Sequence, residues 1–202
     1  MSRKLTYGFS LLELLVVIAI IALLLALVTP AMNSTLSGGR MTQAATLFVN
    51  QCSIGHLKAI GENRPIRLRL IRKDASSAYD RMQLVANNSA GTLLPVEKVN
   101  VLPTGTALAR SVNLSSLLDA SKDPSLAEKP AGASDPAIPE FGTTYRYVEF
   151  SFRPRGSLDL DITKKWFVTV VMLRDENATQ APTNFATMQI DPVNGGIQVF
   201  RP

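Results

Sequence analysis

Cysteine, histidine and tryptophan each occur once in the 202 residues, and each scarcity closes off some chemistry. Cys52 alone can form no disulfide within the chain. It reads as a small buried hydrophobe on a helix, with pairing between chains as the lesser alternative. His56 leaves a Ser-His-Asp triad almost without candidates. Cys52 and His56, one helical turn apart, would supply two metal ligands where a structural zinc site needs about four. There is no glycine-rich phosphate loop, and Gly38-Gly39 is not one. Asp159 and Asp161 could bind calcium only with further oxygen ligands, and solvated turn carboxylates are the plainer reading. No enzymatic activity, cofactor or metal is expected.

Charge is missing from one stretch altogether. From Leu14 to Val28 every residue is apolar, and over Phe9 to Val28 only Ser10 and Glu13 are polar. A helix of about 20 residues at ~1.5 Å per residue spans roughly 30 Å, the thickness of a bilayer core. Arg3 and Lys4 precede the run and predict a cytoplasmic N-terminus. The net charge of +5 is modest and dispersed, so it points only weakly to nucleic acid. A secretory signal peptide is one reading, but the run is long for it and its best cleavage site, near Thr29-Pro30-Ala31, is poor. A plain signal anchor fits length and orientation. It leaves Glu13 unexplained, a carboxylate that would cost roughly 2.5–3.5 kcal/mol at the bilayer centre and less near the cytoplasmic end.

Tyr7-Gly8-Phe9-Ser10-Leu-Leu-Glu13, after a short basic leader and before the apolar run, resembles the prepilin signal of type IV pilins and type II secretion pseudopilins. The resemblance implies cleavage between Gly8 and Phe9 by a prepilin peptidase, N-methylation of Phe9, and retention of the span in the inner membrane. It implies that Glu13 meets the free amine of Phe9 on a neighbouring subunit, where a paired carboxylate is tolerable in low dielectric. Pro30 fits the family as a kink or melting point of the filament helix. A simple helix break at the membrane surface is the alternative.

Beyond the span, Asn33 to Arg40 is polar and weakly helical, with Gly38-Gly39 as a hinge. Met41, Ala45, Phe48, Cys52, Gly55 and Ala59 then recur at steps of three and four, one face of an amphipathic helix from about Thr42 to Glu62 that ends before Pro65. Gln43, Gln51, Lys58 and Glu62 fall mostly on other faces. The head reads as β. Ile66 to Ile71 alternates apolar and basic, a half-exposed strand, with Arg81 to Ala86 as its hairpin partner. Glu97 to Leu102 is a weaker strand. Tyr145 to Phe152 and Trp166 to Leu173 are strong ones. Met188–Asp191 and Ile197–Phe200 flank Asn194-Gly195, a two-residue hairpin signal. The stretch 119–140 has no periodicity and reads as a long surface loop, mobile and more readily an insertion than a binding element.

The fold class expected is α+β: a long N-terminal helix, half transmembrane and half amphipathic, packed on an antiparallel β-sheet head. The divisions are a leader 1–8, a span 9–29, an amphipathic helix 30–63 and an extracytoplasmic head 64–202. Phe152-Arg-Pro-Arg-Gly156 and Leu102-Pro-Thr-Gly105 are similar to strand ends in H-type minor pseudopilins, and the chain also resembles verrucomicrobial pilin-like cassette proteins. Pro154 and Gly156 also make sense simply as a turn ending a strand. The partners implied are other pilin or pseudopilin subunits, the prepilin peptidase, the inner membrane, and a secretion or pilus assembly platform. Two readings share the architecture: a minor pseudopilin of a type II secretion filament, or a minor type IV pilin for adhesion or DNA uptake. A membrane-anchored periplasmic binding module is a third. DNA contact would fall to Arg67, Arg69, Arg72, Arg153 and Arg155. It is not favoured, because the C-terminal tail carries only Arg201.

Overall fold

The computed structural model describes residues 10–202, the side chains of residues 26–36 excepted. The cleavage site at Gly8 and Phe9 lies outside the described residues. The chain divides into two compact units between Gly38 and Gly39.

Helix α1 runs Leu11–Gly61 and stays helical through Pro30 and Gly38-Gly39. The helix break allowed for at Pro30 is therefore not what the backbone does. In the first unit, Leu11 to Leu25 expose every large apolar side chain, from 44% at Val17 to 84% at Leu11. Among the described residues no helix is long and apolar enough to cross a membrane. The described side chains of the apolar run stop at Leu25, short of Val28.

The second unit is the head. From Gly39 onward α1 buries Met41, Ala45, Phe48, Cys52, Gly55 and Ala59, the face read from the spacing, and Ala44 beside them. Gln51 is buried beside them at 3% exposure, where an outward position was expected. The helix stops at a residue in the left-handed region, Asn63 at φ 48, ahead of Pro65, which cannot extend the ladder.

Ten strands follow: β1 (Ile66–Arg72), β2 (Arg81–Asn87), β3 (Leu93–Pro95), β4 (Asn100–Val101), β5 (Thr106–Leu108), β6 (Lys129–Pro130), β7 (Arg146–Phe152), β8 (Trp166–Met172), β9 (Phe185–Ile190) and β10 (Ile197–Phe200). They form two antiparallel sheets. The first has the order β3-β2-β1-β7-β6 with β4 also on β2, and the second β10-β9-β8-β5. The inner faces of both sheets meet the buried face of α1 in one core, with Leu84, Phe150, Phe152, Trp166, Val168 and Met188 near its centre. This is the α+β, helix-on-antiparallel-sheet architecture read from the sequence.

Two expectations about turns change. The β9–β10 connection is not a two-residue hairpin. It is a longer loop in which Asp191 Oδ1 accepts from Val193 N at 2.9 Å, the Asp191 carbonyl accepts from Gly195 N at 2.9 Å, and only Gly195 of the Asn-Gly pair has positive φ. Residues 119–140 are tied to the head. They contain β6, a short 3-10 turn at Pro124–Leu126, and a bridge from Ile138 to Gly142.

Candidate functional site: the helix start and the arginine face of the head

The first turn of α1 explains Glu13 in a second way. Glu13 N donates to Ser10 Oγ at 3.2 Å, and Ser10 N donates to Glu13 Oε2 at 3.4 Å. This reciprocal pair is a capping box, which satisfies two of the four amides a helix N-terminus leaves unbonded. The signal stands in the sequence as Ser10-Leu-Leu-Glu13, at capping-box spacing. In the single chain, the carboxylate therefore holds the helix start as well as carrying a charge.

The arginines of the head are not an exposed basic patch. Arg69 and Arg72 are 1% and 9% exposed, although the alternating pattern of β1 read as half-exposed. Pleating puts Arg67 and Arg69 on the face of sheet one away from the core. Loop carboxylates cover that face. Arg69 Nη1 reaches Asp135 at 2.8 Å and Tyr145 Oη at 3.4 Å, its Nε donates to Glu149 at 2.9 Å, and the guanidinium lies 3.8 Å from the Tyr147 ring centroid. Burial works against the charge of Arg69, but Glu149 and Asp135 more than offset it and raise its pKa.

Arg72 donates through Nη2 to Glu128 at 2.8 Å and through Nε to the other oxygen of the same carboxylate. Glu128 also accepts from Arg146 at 2.6 Å and from Tyr79 Oη at 2.6 Å. Burial alone would raise the Glu128 carboxyl. The hydrogen bonds from Arg72, Tyr79 and Arg146 outweigh it and hold the group at about 2. Farther along, Arg81 pairs with Glu140 at 2.7 Å and lies over Phe141. The segment read as a mobile insertion thus supplies Glu128, Asp135 and Glu140, each matched to an arginine of β1 or β2. Nothing in its composition marks these three acids, because their partners lie 56, 66 and 59 residues away in sequence.

Arg67 keeps partial exposure and donates to Asn87 Oδ1 at 2.8 Å. Arg153 and Arg155 are exposed, flanking Pro154. That turn sits on α1. His56 Nε2 donates to the Gly156 carbonyl at 2.9 Å, and the His56 ring lies against Gly195 as well. Gly156 and Gly195 have φ of 86 and 70, and a Cβ on either would come within 3.1 Å of that ring. His56 therefore registers two turns on the helix. Cys52 is buried, and burial pushes its thiol pKa up. Among the described residues there is no group of three or more metal-ligating side chains. Asp159 accepts from Ser151 N at 2.7 Å and Asp161 from Thr163 N at 2.9 Å. Burial raises the first carboxyl, and the Thr163 hydrogen bonds lower the second.

Residues 3–29 match the family described as the prokaryotic N-terminal methylation motif. A helix-on-sheet head follows that motif in this chain. Solved structures that resemble the chain include the following two. The minor pseudopilin EpsH of the type 2 secretion system of Vibrio cholerae is 11% identical, with 81% of this chain and 98% of that one covered, at a TM-score of 0.45. The type IV minor pilin FimU of Pseudomonas aeruginosa is 11% identical, with 81% and 93% covered, at 0.47. At this identity neither carries residue roles across to this chain. Among curated proteins, none matches the sequence.

Proposed function

We propose that the chain is a structural subunit of a type II secretion-type filament, a minor pseudopilin cut between Gly8 and Phe9 and N-methylated on Phe9. It is held in the inner membrane by residues 9–29, with the N-terminus cytoplasmic and the head periplasmic. It joins its neighbours, at the assembly platform, by packing of N-terminal helices. The observation that carries this reading is the methylation motif at residues 3–29, continued by a helix whose apolar side chains stay exposed from Leu11 to Leu25. An apolar sheath of that length needs lipid or other helices around it. The DNA-uptake alternative draws no support from β1, where Arg69 and Arg72 are buried in ion pairs.

The test is the intact mass of the mature protein taken from membranes with and without the peptidase. A chain starting at Phe9 with one added methyl group, seen only with the peptidase, is the expected result. A chain starting at Met1 in both overturns the reading.

Glu13 separates its two roles by substitution. Gln at this position keeps the capping box and removes the charge, whereas Ala removes both. If the charge meets a neighbour's amine, Glu13→Gln and Glu13→Ala lose cross-linking to partner subunits alike, by tenfold or more if the pair is worth about 1.4 kcal/mol or above. Cross-linking retained by Glu13→Gln and lost by Glu13→Ala would assign the role to the cap alone.

A further inference from the structure

An open sheet edge presents unpaired N–H and C=O groups that recruit other chains unless something blunts it. This head closes its other edges one by one. On β5, Leu108 N donates to the Tyr79 carbonyl at 3.0 Å. Where β8 runs past β5, Phe167 N donates to Ser116 Oγ at 2.9 Å and Thr169 N to Ser115 Oγ at 3.2 Å. Where β7 runs past β6, Ser151 N donates to Asp159, and β6 itself is only Lys129–Pro130. On the far side of sheet one, β3 is three residues ending in Pro95 and β4 is two.

Within its four residues strand β10 has none of these devices; a charge and a proline come only after it, at Arg201, whose Nη1 donates to Thr42 Oγ1 at 2.6 Å, and Pro202. β10 is the end strand of its sheet, Ile-Gln-Val-Phe, with no charge and no proline. Its register fixes which amides are free. Asp191 N donates to the Gly196 carbonyl at 2.8 Å, so bonded pairs recur at Gln198 with Gln189 and at Phe200 with Thr187. The N–H and C=O groups of Ile197 and Val199 therefore point away from β9. Val199 and Phe200 are 43% and 48% exposed, and they lie on opposite faces.

We infer that β10 receives an extended segment of a neighbouring filament subunit by strand addition. The occupant follows from the size of the edge. Four residues bury a few hundred Å², far short of the roughly 1,200 Å² of a stable free-standing interface. Such an edge suits a partner already held alongside by another contact, which raises its effective concentration. Subunits packed side by side through their N-terminal helices meet that condition, so the inference rests on the filament reading above. The incoming strand sets one apolar side chain beside Val199 and the next beside Phe200.

The test is amide hydrogen exchange on the full chain, compared between detergent micelles and the co-purified filament fraction. In micelles, Gln198 and Phe200 should exchange slowly, and Ile197 and Val199 fast. In the filament fraction, Ile197 and Val199 should slow by about tenfold or more. A mature chain that co-purifies with other subunits while these two amides stay fast overturns strand addition and leaves the filament reading standing. A chain that is unprocessed and enters no such fraction overturns both. Val199→Pro removes an outward N–H and none facing β9. It should lower co-purification severalfold and abolish the protection at Ile197.

Discussion

Replacing Arg69 by alanine is expected to destabilise the head by about 3–5 kcal/mol, the cost of removing one partner from a buried ion pair, and to lower its thermal midpoint by roughly 10 °C. The effect is large because two half-buried carboxylates lose their shared guanidinium together. Asp135 and Glu149 are 11% and 13% exposed, and without the guanidinium Asp135 loses its arginine while Glu149 keeps only Arg67 at 3.8 Å and Lys129 at 3.6 Å. The Tyr147 ring also loses its cation. Arg69→Lys should recover little, since an ammonium cannot span both acids and lie flat on the ring. Denaturant unfolding of the full chain in detergent measures each variant. The triple variant Arg69→Met, Asp135→Asn, Glu149→Gln tells stranded charge from lost attraction. It should regain most of the stability, and a triple variant as weak as Arg69→Ala would count against the stranded-charge account.

Glu128→Ala is the second large effect, a loss of about 2–4 kcal/mol, because charge-assisted hydrogen bonds from two arginines and a tyrosine end on one carboxylate. It carries a pH signature of definite sign. The folded chain holds this carboxyl at about 2 against an ordinary 4.5. A depressed folded-state pKa means the stabilisation is complete above pH ~4.5 and disappears as pH falls from there towards ~2. Stability measured across that window should decline in the wild type, and the decline should be shallower in Glu128→Gln. Equal slopes would place the acid sensitivity elsewhere.

These two residues mark the boundary of what was legible in the sequence. Periodic elements were readable. The steps from Met41 to Ala59 named the buried face of α1, and the composition of β7 and β8 named them as strands, because local spacing maps directly onto one face. Arg69 escapes such a reading because alternation reports only that two faces differ, not that a distant loop covers the second one; Arg72, past the alternating run, is buried by Glu128 and Tyr79 instead. Glu128 and Asp135 were invisible for the same reason, sitting in an aperiodic, proline-rich stretch. Gln51 was misplaced because a helix face has a margin that spacing does not resolve. At the helix start the failure was different. Ser10 and Glu13 stand at capping-box spacing, and the same glutamate also fits the prepilin pattern, so one residue serves two patterns at once. Asp159 was weighed as a calcium ligand, whereas it caps the edge of β7. Short edges such as β5 and β6 carry too few residues for any period to show.

The contact of α1 with the head has a mechanical meaning. Its buried positions run from Met41 to Ala59, about 27 Å of helix at ~1.5 Å per residue, and they end where His56 is wedged under two glycine turns. Tension applied along the helix axis loads that whole row in shear, so the contacts share the strain instead of opening one after another. The head holds its helix like a lap joint, loaded along the whole seam when the helix is pulled lengthwise.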